Sequence, residues 1–487
     1  MNQSNLNLDD LRKRVDGLVI EPGSVEYAAL AKLNNARFDH IQPQGVVLCS
    51  TPTDVAETVG FIRSLRLETA TRCGGHCFAG RSATPGLLID VSAINSVSMS
   101  NGIARIGAGA RLGEVYSALL ANGMTIPGGS CPSVGIAGLT LGGGLGWLGR
   151  KYGLTSDHLI GAKIVVADGR MLSCDEDHHQ DLFWALRGAG TGHFGVVVEL
   201  LFQTLRAPQV ATIFRLTWPF SHAARVVDAW LGWAGFAPDE MAASLDLRAS
   251  DDPIEAPSCE VFGMNLGTRS DTLEVLETFT ARLKTSPTST LVKEMTYQQA
   301  LRHWADRAGE RLEAPRASNT KRRYEAIKSE FFARPLPPEA VVALIDNLTR
   351  ERVPGSFREL DFSAWGGAYN RVPADATAFA HRDASYWLKH TAAVDGDAEA
   401  HKKLAGERWA SSSWQTVRGW GTGHVFPNFP DPNLADWGHA YYGANYERLL
   451  EVKSGCWATF ESHVSRPGYA DVLSSTAGSQ PTKQSRI

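Results

Sequence analysis

The chain has 487 residues, 43% of them hydrophobic and 21% charged, with a formal net charge of −4. No basic arm or stripe accompanies that balance, which excludes nucleic acid as the main partner, and the apolar content suffices for a large buried core in roughly two to four domains. No apolar run approaches the ~20 residues of a membrane span, and the polar opening MNQSNLNLDDLRKRVDG lacks a secretory signal's apolar core, so a cytoplasmic protein with no membrane partner is expected.

In chain order, residues 24–37 (SVEYAALAKLNNAR) read as a short helix and 45–50 (GVVLCS) as a buried strand. TPTDVAETVGFIRSL follows as a helix, with Thr51 or Thr53 as its N-cap and Pro52 in the turn. A strand then runs into the loop TRCGGHCFAG at 71–80. GLLIDVSAINSVSMS and GIARIGAGA read as strands, and RLGEVYSALLANG as a helix ended by Gly123. This alternation predicts an α/β or α+β domain. Residues 128–149, GGSCPSVGIAGLTLGGGLGWLG, are dense in glycine yet too apolar for a flexible linker; they predict backbone lying against something large and flat, or against phosphates. AKIVVADGRML is a strand and turn, and DLFWALRGAGTGHFGVVVELLFQTL a helix, another glycine loop and a strand. After about residue 206 longer alternating strands (TIFRLTWPF, SCEVFGMNLG) mix with helices such as 271–285, which predicts a second domain. Residues 356–372, SFRELDFSAWGGAYNRV, read as one of its strands, and the polar tail from about 464 as disordered.

Seven dispersed cysteines, an odd number, do not make a disulfide framework. Cys73, His76 and Cys77 lack the second ligand pair that zinc asks for, and Cys73 and Cys77 stand one residue too far apart for a thioredoxin-like motif. Alone, His76 reads as a satisfied histidine in a tight turn and Cys131 as a small buried hydrophobe. They are not alone: PGGSCPSVG, GLTLGGGLG and GAGTGHFGVV add further glycine loops. None is the GxGxxG turn of a Rossmann unit. What remains is another way to hold a dinucleotide, with the amides of CGGHC as a nest for a pyrophosphate and the other loops close to a ring system.

The succession R-x-G-G-H, P-G-G-x-C-P-x-V-G-x-x-G-x-x-L-G-G-G, R-x-Y-G-L-x-x-D, D-L-F-W-A-L-R-G and Y-Y-G-x-N-Y-x-R-L resembles the berberine-bridge-enzyme-like flavin oxidases of the vanillyl-alcohol-oxidase type. The match runs over about 40–205 and 421–453. The resemblance implies an α+β fold: a two-part FAD-binding domain of the PCMH type (1–205 and 421–463) around an inserted substrate domain (206–420) whose antiparallel sheet covers the flavin, with 464–487 as a tail. It implies FAD bonded twice, through His76 to the 8α-methyl group and through the Cys131 thiolate to C6. Gly74, Gly75 and Cys77 would lie at the pyrophosphate, with Arg72, Cys73 and Gly129 among the cofactor contacts. Gly135, Gly138, Gly142 and Gly143 would line the flavin, Val197 would sit near the adenosine or ribityl part, and Asn428, Tyr442 and Asn445 would complete the site. Val134 matches a position that gates oxygen.

Two positions where relatives carry a tyrosine that removes a substrate proton read here as Phe426 and Leu145, and neither can act as a base. Tyr369 is then the first choice for a catalytic phenol, on a strand expected to face the flavin, with Asp361 and His381 as further candidates. Trp365, Trp387, Trp409, Trp414 and Trp420 are core or the walls of a flat apolar pocket. After NYERLLEVK the sequence departs from its relatives with SGCWATFESHV. The expected activity is oxidation of a natural product or glycosylated small molecule, with hydride passing to flavin and then to molecular oxygen, giving hydrogen peroxide. Rivals are a dehydrogenase using another acceptor and a sequestering protein with little turnover.

Overall fold

Four short strands open the fold described by the computed structural model, which covers residues 6–313 and 322–454. The expected disordered tail lies outside the described residues. Leu18–Ile20, Gly45–Leu48, Leu87–Asp90 and Thr69–Arg72 lie side by side in that order. The last three run parallel, which needs a crossover, and the helix Pro52–Leu65 supplies it. Its start is fixed by a capping box: Thr51 Oγ1 accepts from the Asp54 amide, and the Asp54 carboxylate accepts from the Thr51 amide.

A second sheet is antiparallel throughout, in the order Val97–Ser100, Ile103–Gly107, Val196–Gln203, Leu159–Val165, Met171–Asp175. The helix Leu112–Leu120 buries Leu112, Val115, Tyr116 and Leu119 in the same core as both sheets. That core also takes in Trp437, Tyr441 and Leu449, so the segment beyond residue 425 folds back onto the first part of the chain.

The third sheet holds seven antiparallel strands: Ser289–Met295, Ala211–Trp218, Ser258–Asn265, Met241–Ala249, Phe357–Ala364, Tyr386–Asp395 and Arg323–Phe332. Helices Ala223–Leu231, Pro338–Thr349 and Ala400–Arg418 cover one face, where Leu245, Leu360, Phe362 and Leu388 join Trp230, Leu344 and Trp409 in a core. Period-two alternation sends Asp246, Glu359, Asp361 and Lys389 to the other face, which looks onto the glycine loops.

Two expected elements are shorter than the sequence suggested. The helix at 24–37 stops at Leu30, and a separate 3-10 turn, Ala36–Phe38, starts where the Asn35 side chain accepts from the Arg37 amide. The strand at 356–372 ends at Ala364, because Gly366 and Gly367 take φ of +91° and +57° and turn the chain into a short helix, Ala368–Arg371.

Candidate active site

Between the glycine loops and the open face of the seven-stranded sheet lies a cavity of about 480 Å³. Its floor is backbone. A Cβ on Gly135 would come 2.2 Å from Cys73 Sγ and 2.7 Å from the Gly74 nitrogen, and one on Gly74 would come 2.5 Å from the Gly135 nitrogen. The loops at 73–76 and 131–135 can approach this closely only because both residues are glycine. His76 and Cys131 thereby line the same cavity, and the His76 ring reaches across, Nε2 to Ser133 Oγ, at 2.9 Å.

Burial, followed by the charge of Arg111, lowers the His76 pKa to about 4, so the imidazole is neutral at physiological pH. Burial, followed by the charge of Glu310, pushes the Cys131 thiol up to about 11. The thiolate expected from the sequence is therefore a protonated thiol in the protein without flavin.

Cys73, Gly75, Cys77, Gly129, Val134 and Gly138 also line the floor, and Val197 and Tyr442 line it as well. Asn428 comes from the returning segment and staples the turn at 138–144. Its Nδ2 donates to the carbonyls of Gly138 (3.1 Å) and Leu139 (3.2 Å), and its Oδ1 accepts from the Gly144 amide at 2.9 Å. A Cβ on Gly142 would strike that Asn428 side chain at 2.3 Å. Three expected contacts are engaged elsewhere. Arg72 is buried in an ion pair with Asp90 (2.9 Å). Gly143, at φ +110°, packs on Phe379. Asn445 donates to the carbonyls of Ala374 (2.7 Å) and Thr377 (3.1 Å).

The roof is made of side chains. Trp365, Trp387 and Phe426 meet edge to face, with centroids 5.8 Å apart from Phe426 to each tryptophan, and Leu145 packs against this cluster. The other tryptophans belong elsewhere: Trp409 donates to the Asn347 carbonyl, Trp414 to Glu330, and Trp420 is exposed. His381 is buried away from the cavity against Phe331, Phe379 and His424. Tyr369 reaches the cavity from the short helix rather than from the strand. It stacks on Trp365 at 4.2 Å, and its hydroxyl donates to the Gly146 carbonyl at 3.2 Å. Burial pushes its pKa well up, which keeps the phenol protonated.

Beside the aromatic plate runs a polar row that sequence reading missed, apart from Asp361. Register places Asp246, Asp361 and Lys389 directly opposite one another on three neighbouring strands. Lys389 Nζ lies 2.9 Å from Asp361 and 3.4 Å from Glu359, and Arg248 pairs with both Glu359 and Asp246. Burial works against the Lys389 charge, but Asp361 and Glu359 outweigh it and hold the amine protonated. Burial and the neighbouring Glu359 charge push Asp246 well up, toward its neutral form. Only the pairing of distant strands creates this row, so no local signal marks Lys389 in the sequence. Among the described residues, no group of three His, Cys, Asp or Glu is placed to hold a metal ion, and no helix is long and apolar enough to cross a membrane.

A glycine-walled cavity between a two-part domain and an inserted antiparallel sheet defines an FAD-linked oxidoreductase. The model of an FAD-binding domain matches residues 43–175, and the "berberine and berberine like" model matches 425–455. The uncharacterised FAD-linked oxidoreductase YvdP of Bacillus subtilis is 30% identical over 446 residues, covering 91% of this chain and 95% of its own. Berberine bridge enzyme-like 16 of Arabidopsis thaliana is 27% identical over 459 residues, covering 87% and 84%. The solved structure of Physcomitrella patens BBE-like 1 superposes with a TM-score of 0.83 at 25% identity, covering 92% of this chain and 96% of that one. The chain belongs to the berberine-bridge-enzyme-like family of FAD-linked oxidoreductases.

Proposed function

We propose that the protein is an oxidase carrying FAD bonded through both His76 and Cys131, acting on a flat natural product or glycosylated small molecule. One observation carries the reading: a neutral imidazole and a thiol, from loops far apart in sequence, line one glycine-walled cavity, and the imidazole bonds to Ser133 of the loop that carries the thiol. The chain is expected to divide as the resemblance implies, with 206–420 forming the substrate side. Bound FAD would supply the two-electron acceptor for a substrate carbon–hydrogen bond and hand the electrons to molecular oxygen.

The chain's own residues would do the rest. Trp365, Trp387 and Phe426 offer an apolar plate for a ring and exclude water, while Ser244, Asp361 and Lys389 offer hydrogen bonds to a hydroxyl or amine at its edge. Asp361 is the best-placed base. Lys389 and the Ser363 hydroxyl (3.1 Å) both donate to it, which orients the carboxylate, and it faces the cavity. Tyr369 is better suited to packing, since its hydroxyl is spent on Gly146. Val134 presents a small side chain beside Cys131 and would leave a path for oxygen. A panel of phenolic, alkaloid-like and glycosylated compounds, read by peroxide release and by anaerobic bleaching of the flavin, tests the reading. Bleaching with peroxide supports the oxidase. Bleaching followed by slow reoxidation in air points to a dehydrogenase, and tight binding without bleaching to a sequestering protein.

A further inference from the structure

Ser133 does more than touch His76. Its hydroxyl donates to Glu310 Oε1 at 2.7 Å, and its amide donates to Glu310 Oε2 at 2.8 Å. A serine hydroxyl has one hydrogen, and here the carboxylate takes it. Toward His76 Nε2, 2.9 Å away, Ser133 Oγ can therefore only accept. The imidazole must carry its proton on Nε2, which leaves the lone pair on Nδ1.

We infer that Glu310 and Ser133 are positioning residues: they hold His76 in the Nε2–H form and take up its Nε2 proton when the imidazole bonds the flavin. The inference rests on the tether reading above and adds the path of its proton. As the bond from Nδ1 to the 8α carbon forms, one C–H bond at that carbon breaks, and the imidazole gives up its Nε2 proton along Ser133 Oγ to Glu310. The two electrons reduce the ring system. Molecular oxygen then takes them with the two released protons and leaves as hydrogen peroxide, so atoms and electrons balance. Without the carboxylate, the hydroxyl is free to donate to Nε2, and the proton moves to Nδ1, where it blocks attack. Glu310 lies 177 residues from Ser133 in sequence, so no motif points to it.

The test uses the full-length chain with Cys131→Ala, leaving His76 as the one tether. Nitrogen chemical shifts of His76 in the flavin-free chain should show the Nε2–H form, and added FAD should become acid-stable. Adding Ser133→Ala or Glu310→Leu should slow acid-stable incorporation at least about tenfold, while reversible FAD binding, read by fluorescence quenching, persists. Adding Ser133→Thr, which keeps the hydroxyl, should restore it. Incorporation at the parent rate in the Ser133→Ala chain, or an Nδ1–H form in the parent, overturns the inference. If the Cys131→Ala chain releases all its flavin in acid while His76 shows Nε2–H, the tether reading has failed and takes the inference with it, and the spectrum shows that the relay was not at fault.

Discussion

On the floor of the cavity Gly74 and Gly135 bring two backbones within the reach of a single Cβ, whereas on the roof Trp365, Phe426, Asp361 and Lys389 fill the space with side chains. The floor is specified by absence: a methyl group in the wrong place closes it. The roof is specified by partners, because the half-buried charges of Asp361, Glu359, Arg248 and Lys389 each sit against a counterion. Floor substitutions should therefore act through cofactor loading, and roof substitutions through rate, substrate choice and stability.

The largest expected effect is on the roof. Asp361→Asn should lower the rate of anaerobic flavin reduction by roughly 10²–10⁴-fold with flavin content unchanged, because a positioned base contributes about that much. Stopped-flow reduction checks it, and an unchanged rate would move the base elsewhere. Lys389→Met leaves Asp361 without its cation while Glu359 keeps Arg248, so chemical denaturation should show a loss of about 1–3 kcal/mol. On the floor, Gly135→Ala forces a methyl onto Cys73 Sγ and should cost about 1–3 kcal/mol and leave much of the protein colourless. Normal flavin content in that variant would show that the loops can part. A smaller effect follows from pH. The folded His76 pKa, about 4, lies below its ordinary 6.5, so the folded state takes up fewer protons than the unfolded one between those values. The His76 contribution to stability is thus constant above pH 6.5 and falls as pH drops toward 4. Replacing His76 with Gln in the flavin-free chain should flatten that part of the stability profile. The smallest effect is at the join of the two walls: Tyr369→Phe should change flavin reduction by no more than about twofold.

The floor was largely legible in the sequence, since glycines at fixed spacing around His76 and Cys131 announce backbone packing without any knowledge of the partner. Arg72 and Asn445 misled because they stand inside those motifs, although their side chains serve the loops' neighbours. The roof was mostly hidden. The row from Asp246 through Asp361 to Lys389 exists only once three strands pair in one register, and alternation alone does not give that register. Tyr369 was placed on a strand although the Gly366-Gly367 pair in WGGAY already signals a break, and that signal could have been read. Asn428 and Tyr442 stand where the returning segment folds onto the glycine loops, Asn428 on the Gly138 carbonyl and Tyr442 on that of Ala189.

The central claim is that two side chains from separate loops hold one flavin, and acid denaturation followed by mass measurement tests it most directly. The unmodified protein should stay yellow in acid and weigh more than its polypeptide by one FAD, with flavin on the peptides containing His76 and Cys131. His76→Ala and Cys131→Ala should each keep the flavin through the remaining bond, and only the double variant should release it. Free FAD in the acid supernatant of the unmodified protein, with a polypeptide of unaltered mass, would contradict the account.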